Sequence, residues 1–368
     1  MRNIFALVFL FSFKAFSGDL YQPGLPVRCL AMGSACISQA KGAQALFLNP
    51  AALARVQGFD FILAQLKAGV SKDAVDFSKQ FSGSTFAASD LNKLYGKYLA
   101  ADVDARSGFV MPNFGFGVYS NNYTTMQFND PAFPTFDMAL IADYGYAIGG
   151  ATLLNEQSAF GATFRHVKRW GGSQTIGVNT LTGASANSLA SNNFQDHGVG
   201  QALDLAYMTA FNHPMKPILS VVWRDVGVTT FNKTQGTSAP PRQVDNISVG
   251  LSMEQELSFI KMYYALEYSN ATDYSIEPYK RFHGGVEASL GPLDLRGGIN
   301  QGYVSYGVGI DLWFFELEAA SYATEMGNYA GQDKTDRYNI SLTFEFDFDQ
   351  SFKLLDSKGK KRRLMQRR

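Results

Sequence analysis

The C-terminal part of the chain alternates strictly between apolar and polar residues over eleven positions. A period of two places every apolar side chain on one face of a β-strand. The same period recurs at residues 260–268, 280–290 and 303–311. We therefore predict an all-β protein whose strands each have one apolar face. The apolar residues of the clearest run are Tyr338, Ile340, Leu342, Phe344, Phe346 and Phe348.

Applied to the whole chain, this pattern predicts fourteen strands. Connections after odd-numbered strands are mostly long and those after even-numbered strands mostly short; residues 148–156 and 300–302 are exceptions. An antiparallel transmembrane barrel with both ends in the periplasm has long outer loops and short inner turns. The predicted strands lie near residues 59–69, 105–111, 114–121, 135–147, 157–169, 198–210, 217–226, 244–252, 258–268, 280–290, 292–299, 303–311, 313–323 and 336–348.

A soluble β-sandwich is the alternative that also alternates with many strands. The chain contains 30 Phe and 18 Tyr, however. Lipid accepts large aromatic side chains at nearly every outward position, whereas a sandwich must pack each one against a second sheet. The aromatic content therefore favours a transmembrane β-barrel in the outer membrane of a Gram-negative bacterium.

Composition excludes several other classes. The 46% apolar content is too high for a disordered chain, two Cys are too few for a disulfide scaffold, and 32 basic residues balance 32 acidic ones, which argues against nucleic acid as a partner. Beyond the extreme N-terminus, no apolar run is long enough for a membrane-spanning helix.

The N-terminus has the pattern of a secretory signal. A positive start at Arg2 precedes an apolar run from Ile4 to Phe13 and a small-residue cleavage motif ending at Ser17. A buried N-terminal strand or short helix is the alternative. We predict a signal peptide over residues 1–17 and a mature chain outside the cytoplasm, where Cys29 and Cys36 either form a disulfide or stay free.

Residues 18–58 have no strand pattern and are rich in Ala and Gly. Small side chains allow close packing against an inner wall, and Asn49-Pro50 ends any helix begun at Ala43. We predict that this segment is an N-terminal plug of the lumen and that residues 59–352 form the barrel. Residues 353–368 carry eight basic residues and one acidic residue; this periplasmic tail either binds an anionic partner or stays solvated.

The plug segment carries a resemblance to a known family. Met32-Gly33-Ser34-Ala35 and the run from Ala45 to Leu53 resemble the N-terminal plug of the FadL-like (long-chain fatty-acid transporter, OMPP1-TodX) outer-membrane superfamily, with its PorV-type and TraF-like branches. Three later stretches are similar to strands of those branches: Trp223 to Gly227, Arg281 to Glu287, and Leu295 to Gly298 with Gly307-Val308-Gly309. The resemblance implies a fourteen-stranded barrel plugged by its N-terminus, with Phe47, Asn49, Pro50 and Ala51 as plug or ligand-binding residues.

Three residues of the predicted wall are candidates for contact with the plug or a ligand. Gly115 and Gly117 lie within a strand, where glycine marks a bend or a close approach of another backbone. If Trp223 faces lipid, Arg224 faces the lumen and needs an acidic or carbonyl partner. We expect this partner in the plug, rather than in a ligand.

The first long loop has one helical pattern. Leu91, Leu94, Tyr95 and Tyr98 recur at helical spacing behind Ser89-Asp90, a plausible N-cap. We predict one amphipathic helix that covers the barrel mouth; capture of amphiphiles is the alternative role.

Residues for catalysis or metal binding do not cluster. The four histidines are scattered, Asp196-His197 is the single pair that imitates a hydrolytic dyad, and no zinc pattern is present. We therefore predict a protein that is not an enzyme and that uses no cofactor or metal.

Two functions remain as hypotheses. The first is a barrel that binds or transports hydrophobic small molecules, driven by transfer of alkyl surface into an apolar lumen at about 0.8 kcal/mol per methylene. The second is a protein-binding barrel that serves secretion or envelope assembly, as the PorV-type resemblance implies. The expected partners are outer-membrane lipid and a hydrophobic ligand in the first case, and a periplasmic or secretion protein in the second.

Overall fold

A computed structural model describes residues 24–81, 95–129, 135–177, 193–312 and 314–348. The predicted signal peptide and the predicted basic tail lie outside these residues. Within them, the strands are β1 Phe59–Ser71, β2 Tyr98–Met111, β3 Phe114–Asn129, β4 Thr135–Leu153, β5 Ser158–Gly177, β6 His197–Ala210, β7 Ile218–Arg224, β8 Phe231–Gln235, β9 Asn246–Leu257, β10 Ile260–Tyr268, β11 Phe282–Leu290, β12 Leu293–Asn300, β13 Tyr303–Leu312, β14 Phe315–Glu325 and β15 Lys334–Phe348.

Fourteen of these strands close into an antiparallel barrel. Each pairs with its neighbours in chain order, with β7 followed directly by β9, and β15 closes the ring by pairing with β1. Strand β8 is the additional one: it pairs with the outer end of β6, from His197 to Gly200. The predicted strand number and antiparallel barrel are confirmed.

The lengths of the connections follow the predicted alternation. β2 and β3 are joined by Pro112-Asn113, and β4 and β5 by four residues, because β4 extends to Leu153. The predicted exception at residues 300–302 is real, since Gln301 and Gly302 form a two-residue turn on the outer side. Both residues have positive φ, at 51° and 87°, as the tight turns that match the twist of paired strands require.

The barrel wall has an apolar outer face and a polar inner face. Leu66, Val304 and Ile340 are more than half exposed on the outside, whereas Lys67, Ser305 and Asn339 are buried on the inside. Adjacent residues of one strand point to opposite faces, so the alternation in the sequence becomes the two faces of the wall. A belt of exposed apolar side chains around a closed barrel matches the hydrocarbon layer of a membrane.

The helices lie in the N-terminal segment and the outer loops. Short α1 Val27–Ala31 and α2 Ala45–Leu48 alternate with 3₁₀ helices at Ile37–Gln39, Gly42–Gln44 and Pro50–Arg55; a further 3₁₀ turn, Pro278–Arg281, precedes β11. No helix in the described parts of the chain is long and apolar enough to cross a membrane.

The first outer loop does contain a helix, but it lies earlier than predicted. It is α3, Lys72–Phe81, where the Ser71 hydroxyl accepts the Ala74 N–H at 3.2 Å as a helix cap. The predicted helix was wrong at its C-terminal end, because Tyr95 forms a bridge with Phe128 and Tyr98 begins β2. Pairing with a neighbouring strand satisfies these backbone groups and outweighs the local helical spacing. Leu91 and Leu94 lie outside the described residues.

Candidate functional site

Residues 24–58 fill the lumen, where we had predicted a plug. Asn49 is fully buried at its centre. Its Nδ2 donates to the carbonyl oxygen of Ile37 at 2.8 Å, and its Oδ1 accepts the N–H of Ala51 at 3.1 Å. One side chain thereby joins two 3₁₀ turns, and Pro50 at the first position of the second turn has no N–H that would need a partner.

Glycines in the wall strands leave space for the plug near the inner turns of the barrel. A Cβ at Gly115 would lie 3.3 Å from side-chain atoms of Leu46 and Leu53, and one at Gly117 would lie 2.9 Å from the Phe47 ring. The close approach predicted for Gly115 and Gly117 is thus observed, and its partners are plug residues. Gly161 is closer still, because a Cβ there would lie 2.3 Å from the carbonyl carbon of Pro50.

A second glycine contact lies toward the outer side. A Cβ at Gly285 would lie 2.3 Å from the carbonyl oxygen of Met32, and one at Gly298 would lie 2.5 Å from the nitrogen of Gly33. The plug turn that enters this space is closed by the disulfide Cys29–Cys36. Of the two thiol states left open by the sequence, the structure has the bonded one.

Buried ion pairs hold the plug to the wall on the β11–β14 side. The Arg28 guanidinium donates to both carboxylate oxygens of Glu287, at 2.7 and 3.0 Å. Glu287 also accepts from Arg296 at 2.7 Å, and Arg296 donates to Glu318 at 2.6 Å. Since an unpaired buried charge is costly, each charged residue of this network needs the others as partners.

The wall at β1 and β2 holds the start of the plug through its backbone. Lys67 Nζ donates to the Leu25 carbonyl oxygen at 3.2 Å and lies 2.6 Å from Asp104. Arg106 donates to the carbonyl oxygen of Gly24 and lies over the Phe47 ring, 5.0 Å from its centroid. The wall at these positions is charged and its charges are paired within the protein, whereas other inward positions, such as Val110 and Met208, are apolar.

The predicted site residues are brought together around the plug. Phe47 contacts Gly117 and meets the Tyr119 ring edge-on at 5.9 Å between centroids. Arg224 faces the lumen as predicted and donates to the Leu48 carbonyl oxygen at 3.3 Å. Pro50 and Ala51 lie against Gly161 of the wall, whereas Asn49 bonds to Ile37 and Ala51 within the plug.

Sequence reasoning did not single out the charged residues of the plug–wall contact. Four of these residues belong to the ion pairs described above: Arg28, Lys67, Glu287 and Arg296. A usable signal was present for the three wall residues, because each is a charged residue at a polar position of an alternating strand. The plug residue Arg28 gives no such pattern.

Asp196 and His197 do not form a catalytic pair. Asp196 accepts the N–H groups of Thr237 and Ser238 at 2.7 and 2.8 Å, whereas the His197 ring stacks on Trp170 at 5.8 Å. In the described part of the chain, no three His, Cys, Asp or Glu side chains converge as metal ligands would.

An apolar cluster lies at the outer ends of β3, β4 and β5. We call it the outer apolar cluster: Phe128, Phe136, Met138, Ile176 and Phe194. Its strand residues occupy register positions on the outward face of the wall. Phe77 of α3 and Tyr95 pack against the cluster, so the first outer loop covers the face that continues into the lipid-facing belt.

The wall is interrupted between β6 and β7. β6 pairs with β7 from Leu205 to Ala210 and with β8 from His197 to Gly200. In the described residues, the intervening positions 201–204 belong to neither ladder; the Leu203 carbonyl oxygen accepts the Val226 N–H at 2.8 Å. Arg165 joins Asp204 and Asp225 across this wall break at 2.8 and 2.9 Å.

Solved structures with this architecture are hydrocarbon channels. The toluene transporter TodX of Pseudomonas putida matches with a TM-score of 0.51 at 13% identity, over 91% of this chain and 100% of that one. The toluene transporter TbuX of Ralstonia pickettii matches with a TM-score of 0.51 at 12% identity, over 91% and 99%. This chain shares the fold of these two channels. The monoaromatic hydrocarbon channel CymD also matches, with a TM-score of 0.54 at 10% identity, over 89% and 98%.

Sequence comparisons add no closer relative. No family model matches the chain, and no curated protein matches it. The apolar belt around a closed antiparallel barrel places the protein in the outer membrane of a Gram-negative bacterium.

Proposed function

We propose that this barrel transports hydrophobic small molecules, such as monoaromatic hydrocarbons or long-chain fatty acids, across the outer membrane. The observation that carries the proposal is a FadL-like barrel, the fold of channels named for toluene and monoaromatic hydrocarbons, with an apolar cluster at its outer end. Burial of alkyl or aromatic surface in such a cluster is favourable by about 25 cal/mol per Å².

The route that we propose leaves the barrel sideways. The plug and its ion pairs close the axial path, and the apolar residues of the inner wall, such as Val110, Met208 and Val222, are already covered by the plug. The wall break between β6 and β7 begins at Gln201, seven residues after Phe194 of the outer apolar cluster. A molecule that passes this break reaches the hydrocarbon layer without crossing the plug.

The first experiment measures capture. Intact cells that make the protein take up a radiolabelled monoaromatic hydrocarbon or a long-chain fatty acid, beside cells that make Phe194→Ser or the control Tyr274→Ser, which alters an almost fully exposed outer-loop residue. We expect uptake to fall several-fold in the first variant and to stay unchanged in the control. Uptake equal to that of cells without the protein contradicts the function.

The second experiment tests the route. Leu203→Cys with Val226→Cys places a disulfide across the wall break, and Tyr207→Cys with Val221→Cys places one across the continuous ladder of β6 and β7. We expect oxidation to stop uptake by the first double variant and to leave uptake by the second unchanged. A reductant should restore uptake by the first variant. Unchanged uptake in an oxidised first pair contradicts the sideways route while leaving the transport function standing.

A further inference from the structure

The outward face of β4, β5 and β6 carries a polar patch within the lipid-facing belt. His166 and Lys168 alternate with the inward-facing Arg165 and Arg169 and so point away from the lumen. Gln201 of β6 pairs directly with His166, and Tyr144 and Tyr146 of β4 pair with Lys168 and His166. These five residues, Tyr144, Tyr146, His166, Lys168 and Gln201, form what we call the β5 patch.

The side chains of the β5 patch contact one another and are open to the surroundings. The rings of Tyr146 and His166 stack with centroids 5.2 Å apart, and Lys168 Nζ lies 5.9 Å from the centroid of the Tyr144 ring. Lys168 and Gln201 are exposed, and Tyr144 is 48% exposed. The patch therefore presents an ammonium, an imidazole, an amide and two phenol groups to whatever lies outside the wall.

The depth of the patch identifies its surroundings. β5 begins at Ser158, beside the inner turn, and Lys168 is its eleventh residue. A tilted strand crosses the hydrocarbon layer in about 9–11 residues. Lys168 thus lies where the hydrocarbon meets the outer-leaflet headgroups, and Phe160 and Phe164 lie below it on the same face, about 40% exposed to acyl chains.

Within the described residues, no acidic side chain faces the patch. The outward-facing positions of β3, β4, β5 and β6 within the described residues include no Asp or Glu. Asp143 and Asp204, the nearest acidic residues along the strands, face inward and are paired with Arg169 and Arg165. A charged side chain on the lipid-facing wall is costly unless it meets a partner, and an anionic headgroup is the partner available at that depth.

We propose that the β5 patch binds the phosphate of a phosphorylated lipid of the outer leaflet. Lys168 supplies the charge, His166, Gln201 and the tyrosine hydroxyls supply hydrogen-bond donors, and the phenylalanines below contact the acyl chains. The patch is a lipid site on the outside of the barrel; its member Gln201 lies at the edge of the wall break, whereas Lys168 and His166 lie on β5.

The test uses the purified full chain in detergent and native mass spectrometry. The probes are a diphosphorylated glycolipid, the same glycolipid without phosphate, and inorganic phosphate. We expect one phosphorylated glycolipid to remain bound, at least tenfold less retention in Lys168→Gln, still less in Lys168→Gln with His166→Gln, and recovery in Lys168→Arg. The control Lys233→Gln, which alters an exposed lysine of β8, is expected to bind as the parent does.

Each other outcome overturns the proposal. Equal retention of the dephosphorylated glycolipid assigns binding to acyl contact alone, and competition by inorganic phosphate at equal concentration assigns it to a free anion. A dimer that is present in the parent protein and lost in Lys168→Gln assigns the patch to self-association of the chain. Resistance to unfolding in SDS, measured for every variant, shows that an altered variant is still a folded barrel.

Discussion

Asn49 is the residue on which the inner part of the plug depends, because its one side chain serves a carbonyl and an N–H that are both buried. Replacement by Ala leaves the Ile37 carbonyl oxygen and the Ala51 N–H without these partners. Leaving buried polar groups unpaired costs about 1–3 kcal/mol. The methyl group of Ala also leaves part of the space of the amide empty.

We therefore expect Asn49→Ala to lower the free energy of unfolding of the reconstituted protein by about 1–3 kcal/mol. Urea titration in detergent, followed by tryptophan fluorescence, measures this change. The control is Asn232→Ala, at an exposed position of β8. An equal, small effect of both variants would show that the two hydrogen bonds of Asn49 do not stabilise the plug.

Asp196 gives a prediction about pH at the outer loops. Hydrogen bonds from the N–H of Ser238 and from Thr237 lower the pKa of Asp196. Because the folded pKa lies below the unfolded value of about 3.9, the contact stabilises the turn at residues 236–238 above that pH. The stabilisation disappears as the pH falls through the folded pKa.

Hydrogen exchange of the peptide that contains Thr237 and Ser238, normalised to intrinsic rates, measures this change. We expect protection at pH 5 to 7 and its loss below about pH 4, toward the folded pKa. Asp196→Asn keeps an acceptor oxygen without a titratable charge, so its protection should be lower and independent of pH. A pH-dependent loss that persists in Asp196→Asn would assign the titration to another group.

At the scale of the element, the strands of the barrel accept the plug only where they lack side chains. Gly297 and Gly298 are neighbours on β12 that face opposite sides of the wall. A Cβ at Gly298 would lie 2.5 Å from the nitrogen of Gly33, whereas one at Gly297 would have its nearest neighbour at 4.0 Å. The two positions lie on the same strand in the same pairing register, but Gly298 faces the plug and Gly297 faces the outside of the wall.

This pair predicts that Gly298→Ala displaces the Met32-Gly33 turn of the plug, while Gly297→Ala does not. Overpacking of this kind costs about 1–3 kcal/mol. Limited proteolysis from the periplasmic side, with cleavage in the plug as the readout, measures the displacement. Cleavage at equal rates in both variants would mean that the turn is not seated against β12.

The elements also show what the sequence could and could not provide. The period of two marks one residue as inward and the next as outward, so the wall position of Arg224 followed from Trp223 alone. The strands β2, β3 and β5 continue beyond the predicted ranges with mixed polarity, so their outer ends were predicted too short, whereas β4 was predicted too short at its inner end. β8 was missed, because pairing with β6 depends on the wall break and not on alternation within residues 231–235.

At the plug–wall contact, the alternation of apolar and polar residues predicts which charged side chains face the lumen, but it does not predict their partners. Lys67 and Asp104 lie on neighbouring strands and pair through the register of β1 and β2. Arg28 and Glu287 are separated by most of the chain, and their contact depends on how the plug enters the ring. The disulfide Cys29–Cys36 was likewise undetermined, because the sequence alone does not show whether two nearby thiols meet.

The whole molecule combines a charged inner wall with a plug that fills it. Wall residues such as Lys67, Glu287 and Arg296 face a space that water would occupy if the plug were absent. Barrels of 16–18 strands leave an aqueous channel, and this ring of fourteen is close to that size. The plug therefore separates the proposed hydrocarbon transport through the wall from ion conduction along the axis.

Removal of the plug should expose the second function. We expect a variant without residues 25–56 to give discrete ion-current steps in planar bilayers, because a polar lumen of this width admits water and salt. The parent protein should give no ion-current steps at the same voltage. Arg28→Gln is the point variant for comparison: it leaves Glu287 paired with Arg296 alone, so it should give brief openings without complete removal of the plug. A silent bilayer, with insertion confirmed by SDS resistance, would show that the wall residues close the axis without the plug.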